Sequence, residues 1–119
     1  MRLQLPLPLL DNPLPIQRLV EYISVLNKHE PQNDVKEAVQ YFYELLDAAV
    51  FEIYFPDAFK REGKSILKHL PADLPIVTAN SVENILTFYR RWYDRAHPLR
   101  RNLEYYDTIE EVDLIRQYS

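Results

Sequence analysis

Across residues 34–55 apolar side chains recur every three or four positions: Val35, Ala38, Val39, Phe42, Leu46, Ala49, Val50 and Ile53. That period gathers them into one stripe of a helix, and leaves Lys36, Glu37, Gln40, Glu44 and Asp47 on the other face. Asn33 or Asp34 is placed to cap its start. Pro56 ends it, because the residue before a proline is pushed out of the α region. A shorter stripe of Ile16, Leu19, Val20, Ile23 and Leu26 predicts a helix that opens at Pro15 and is closed by Pro31. Proline in the first helical turn sacrifices no intrahelical bond. The third stripe, over 81–95, is aromatic: Val82, Ile85, Leu86, Tyr89, Trp92, Tyr93 and Ala96 point inward, with Asn80 and Glu83 spaced as a capping box. Weaker patterns predict helices over 57–69 and 98–106, and a last turn capped by Thr108 with Glu111.

These elements predict a small all-α domain, a bundle of about five helices over 16–119. Its single glycine agrees with helical connections, since tight hairpin turns draw on glycine for positive φ. Residues 1–15 read differently. Pro6, Pro8, Pro13 and Pro15 bar a regular helix or central strand and stiffen an extended arm. Leu5, Leu7, Leu9, Leu10 and Leu14 are expected to lie across an apolar surface of the domain; the alternative is a proline-rich ligand for an aromatic groove.

Length and composition, 119 residues with 47% hydrophobic and 27% charged, fit one globular core. No apolar run reaches bilayer-spanning length, and the prolines interrupt any signal-peptide core, so a cytoplasmic protein without membrane contact is expected. The chain has no cysteine, which removes disulfides and thiolate chemistry. His29, His69 and His97 form no pair with zinc-ligand spacing. No nucleotide-binding, P-loop, nucleophile-elbow or zinc-protease motif occurs, so neither a cofactor nor catalysis is expected of this chain.

Two acidic groupings invite a catalytic reading. Pro56-Asp57 with Glu62-Gly63-Lys64 has the residue types of a magnesium-dependent nuclease. Such acids normally stand on adjacent strands at a longer interval, and here a solvated helix face is expected. Glu44, Asp47 and Glu52 are read as surface charges without a matching basic partner.

The most distinctive stretch is RRWYDRAHPLRR, residues 90–101, where Arg90, Arg91, Arg95, Arg100 and Arg101 face the single acid Asp94 in a chain of net charge −4. Arg95, Arg100 and Arg101 are expected to converge on one side of the His97-Pro98 turn. Three partners suit such a cluster: the acids at Glu104, Asp107, Glu110 and Glu111, a nucleic-acid backbone, or an acidic protein face. Trp92 and Tyr93 continue the inward stripe and read as core, not as base-stacking platforms.

Three blocks of the chain carry a resemblance. LPLP at 5–8 with Gln17, Leu19 and Val20, LLDAAVFEIYF at 45–55, and FYRRWYDRAHPLRRNLEYYDTIEEVDLI at 88–115 occur in order over nearly the whole length. Together they resemble the C-terminal helical region of type IIG restriction-modification enzymes and of related adenine-N6 DNA methyltransferases. The middle block is similar to a Leu-Asp-x-x-Val-Tyr-Glu-Leu-Tyr-Phe helix of that region. Tyr93, Asp94, His97, Pro98 and Arg100 match its Tyr-Asp-x-x-His-Pro-Ile-Arg segment, with Leu99 in place of isoleucine. The S-adenosylmethionine domain and the Asn/Asp-Pro-Pro-Tyr/Phe motif, which stacks on a flipped adenine, are missing. The resemblance therefore implies only an accessory role, docking on or positioning DNA-recognition and catalytic parts beside a methyltransferase or restriction subunit, with weak contacts to the DNA backbone. The alternative is a free-standing helical adaptor that binds an acidic protein or self-associates.

Overall fold

Prolines set three of the helix starts in the computed structural model, which describes residues 13–28, 33–76 and 82–118. Helix α1 spans Leu14–Asn27, with Pro13 just before it and Pro15 in its first turn. Its inner face is Pro15, Leu19, Tyr22, Ile23 and Leu26. Val20, expected on that face, is half exposed. The proline arm before Pro13, the closing Pro31 and the Asn80 cap fall outside the described residues.

Helix α2, Asn33–Tyr54, is central and touches α1, α3, α4 and α5. Because neighbours cover it on several sides, its buried surface is wider than one stripe. Tyr41, Leu45 and Ala48 join Val35, Ala38, Val39, Phe42, Ala49 and Ile53 inside. Val50, predicted inward, is turned toward solvent. Glu52 corrects the surface-charge expectation: it is 8% exposed. One of its oxygens accepts from the Ser65 hydroxyl at 2.6 Å, the other from the amides of Ile66 at 2.7 Å and Leu67 at 3.0 Å. Three donors thus satisfy both oxygens of this buried carboxyl group without a cation.

Phe55 leaves the helical region (φ −130°, ψ 57°), as expected before a proline, and α3, Pro56–Glu62, starts at once. The predicted helix over 57–69 is cut in two. Gly63 adopts φ +65°, its amide bonds the Lys60 carbonyl and the amide of Lys64 reaches back to Phe59, which closes α3 in a Schellman turn. A 3-10 turn at Leu67–His69 follows, its first amides held by Glu52.

The remaining helices are α4, Val82–Trp92, α5, Pro98–Tyr105, and α6, Glu110–Gln117, with a 3-10 turn at Tyr106–Thr108 before α6. The last element is a full helix and not a single turn. Its cap differs from expectation: Ile109 stands at the N-cap without a side-chain bond, and the Thr108 hydroxyl donates to the Tyr105 carbonyl. Glu110, Glu111 and Asp113 in its first turn complement the helix dipole instead. Asp47, read as unpartnered, accepts from the Tyr106 hydroxyl at 2.7 Å and from Arg116 at 2.6 Å, which straps α6 to α2.

The aromatic core sits where α1, α2 and α4 meet. Phe88 stacks on Tyr22 at 6.0 Å and on Trp92 at 5.5 Å, and Phe42 meets Trp92 edge to face at 5.9 Å. The Tyr22 hydroxyl donates to the Pro75 carbonyl at 2.8 Å, and burial pushes its pKa up to about 12. Among the described residues there is no strand, and no helix is long and apolar enough to cross a membrane.

Candidate functional site

The basic segment 90–101 forms the corner between α4 and α5. Helix α4 ends at Trp92, three residues short of the predicted end. Tyr41, buried in α2, donates its hydroxyl to the Trp92 carbonyl at 2.6 Å and so satisfies one orphan acceptor of the helix end. Burial holds that phenol far above the usual tyrosine range. Its ring meets Tyr93 edge to face at 5.1 Å and Tyr89 at 5.7 Å.

Tyr93 and Ala96, expected inward, lie beyond the helix and are exposed, Tyr93 to 44%. The chain then turns on its own polar groups. Asp94 Oδ1 accepts from the Ala96 amide at 2.8 Å, and the Asp94 carbonyl accepts from the His97 amide at 2.9 Å. His97 is the N-cap of α5: its Nδ1 accepts from the Leu99 amide at 3.1 Å, and Pro98 fills the first helical position. Burial, reinforced by His69 and Arg91 nearby and opposed by Asp94, holds the His97 imidazole below the usual histidine range.

Arg100 folds back over this turn. Its guanidinium lies 3.8 Å from the centre of the Tyr93 ring and donates to the Tyr93 carbonyl at 2.9 Å, and it pairs with Glu104 at 3.6 Å. Tyr93, Asp94, His97, Pro98 and Arg100 thus build one corner, and each has a structural task in it. Of Arg95, Arg100 and Arg101, expected to converge, Arg100 is committed to contacts within the fold.

The other four arginines of the segment behave differently. Arg90, Arg91, Arg95 and Arg101 are exposed, and their side chains make no hydrogen bond or ion pair among the described residues. Elsewhere Arg18 pairs with Glu21, Arg61 with Glu111, and Arg116 with Asp47 and Asp107. The predicted neutralisation by local acids is realised only between Arg100 and Glu104, since Asp107 and Glu111 are already taken by Arg116 and Arg61.

The nuclease-like fragment gives no assembled site. Asp57 and Glu62 are exposed at opposite ends of α3, Lys64 lies beyond Gly63 over the Tyr105 ring at 5.5 Å, and the described residues contain no cluster of three His, Cys, Asp or Glu able to hold a metal. What the sequence did not single out are Lys60, Lys68 and His69. They surround an open cleft at the end of α3, and only the fold brings that loop beside α5. Comparison with protein-family models, with curated proteins and with solved structures gives no match.

Proposed function

We propose that this chain is a non-catalytic helical module of a DNA restriction-modification or methyltransferase system. In this reading it works in the cytoplasm beside a methyltransferase or restriction subunit and steadies the DNA by its phosphates. The observation that carries the reading is the separation of the arginines. Among the described residues Arg18, Arg61 and Arg116, outside 90–101, have acidic partners, whereas Arg90, Arg91, Arg95 and Arg101 stand exposed without one, in a chain of net charge −4. Guanidinium groups left unpaired at one corner suit charge-assisted contacts to phosphate oxygens. Such contacts position a duplex without reading its bases, so sequence recognition belongs to the partner. The resemblance of 88–115 to the tail of those enzymes points the same way.

A second reading, a protein-docking adaptor, is favoured by a different surface. Val20 and Tyr43, each about half exposed, border a shallow groove floored by Ile23 and Leu46 on α1 and α2.

The test is titration of a short DNA duplex between about 50 and 200 mM salt, with the wild type and with R90A/R91A/R95A/R101A. Weak wild-type binding that fades with salt, and its loss in the variant at unchanged melting temperature, is the expected result. Binding that ignores salt or survives removal of the four arginines rejects the phosphate assignment and leaves docking on protein as the better account.

A further inference from the structure

The loop after α3 and the first turns of α5 are fastened together. Asn102 Nδ2 donates to the Ser65 carbonyl at 2.8 Å, and Lys64 lies over Tyr105 from the same side. His69, at the end of the 3-10 turn, is close enough to His97 to oppose its protonation. Arg101 stands one turn before Tyr105 on α5. The loop therefore abuts the arginine corner.

Beside it opens a cleft of about 390 Å³. Pro56 and Phe59 supply apolar walls, and Lys60, Lys68, His69 and Ser65 supply the polar ones. Among its lining residues the one acid is Glu52, whose two oxygens are engaged by Ser65, Ile66 and Leu67. Lys60 and Lys68 are both exposed, and neither ammonium has an acidic partner among the described residues. Two unneutralised cations at a cleft whose carboxylate is already satisfied are a binding place for an anion.

We infer that the cleft walled by Lys60 and Lys68 is a second phosphate subsite, joined through His97 and Arg101 to the arginine corner, so that one DNA backbone runs from the α4–α5 turn onto the end of α3. This inference rests on the phosphate reading above and extends it to residues far from 90–101 in sequence. Contacts of this kind release counterions, and each phosphate neutralised adds about 0.9 to the slope of log affinity against log salt.

The experiment measures that slope for a short DNA duplex with the full chain, K60A/K68A, K60R/K68R and R90A/R91A/R95A/R101A. Loss of about two units of slope in K60A/K68A, with recovery in K60R/K68R and an unchanged melting temperature, supports the subsite. If K60A/K68A keeps the wild-type slope while the arginine variant loses its own, the subsite is wrong and the arginine corner stands. If the wild type binds no duplex, both fall.

Discussion

His97 holds a helix end by a lone pair. Its Nδ1 accepts from the Leu99 amide only while that nitrogen carries no proton, and burial, with His69 and Arg91 close by, depresses its pKa in the fold. A group whose pKa falls on folding stabilises the native state above its unfolded value, near 6.5, and that contribution is lost as pH drops through the folded value. Chemical denaturation of the wild type at about pH 7 and about pH 5 is expected to show lower stability in acid, by roughly the 1 kcal/mol that a cap supplies. His97→Asn keeps an acceptor at the N-cap and has no proton to gain. Its stability is expected to change less across the same window, and an undiminished acid loss in that variant removes His97 as the cause.

Helices α1, α2 and α4 were legible because their apolar spacing is long and regular, whereas α3 and α5 showed only as weaker patterns, α5 opening at Pro98 as expected and α3 one residue early, at Pro56. What failed was the width and the ends of the stripes. A single-stripe reading of α2 excludes Tyr41, Leu45 and Ala48, yet a helix packed against several others buries them. The same reading carried α4 on to Tyr93 and Ala96, because the hydroxyl that caps its end comes from Tyr41, on another helix. Glu52 was read as surface because its donors belong to a loop whose place no periodicity announces. The basic segment was visible as composition, but its division into Arg100, which folds back on Tyr93, and four arginines that do not, is set by the tertiary turn between α4 and α5. Ala49, legible and fully buried on α2, gives the direct test of this element. Ala49→Asp sets an unpaired carboxylate against the core and is expected to cost several kcal/mol, on the order of 3 or more, read as a lower midpoint in urea; a midpoint within error of wild type would mean that α2 is not the packing centre.

Over the molecule as a whole, positive charge is divided between two duties. Arg18, through the Leu74 carbonyl, Arg61, Arg100, through the Tyr93 carbonyl, and Arg116 tie elements together, and the strap from Arg116 to Asp47 and Asp107 fixes α6 and the preceding turn against α2. Among the described residues the remaining arginines of the corner hold nothing. Arg100→Ala therefore separates the two duties within one segment: it is expected to lower the melting temperature, by a few degrees for the roughly 1 kcal/mol of a stacked, hydrogen-bonded guanidinium, while leaving the salt dependence of DNA binding in place. A loss of salt dependence at unchanged melting temperature would move Arg100 into the binding group.

Trp92 is the single tryptophan of the chain, 2% exposed, stacked on Phe88, and its carbonyl is where α4 stops. The protein thus carries an intrinsic fluorophore at the hinge of its basic corner, shielded from anything that settles on the surface above. Its emission reports a shielded, apolar surrounding for as long as the corner is folded, whatever the arginines outside are touching. A ligand titration and an unfolding transition can therefore be told apart in one cuvette, with no label attached.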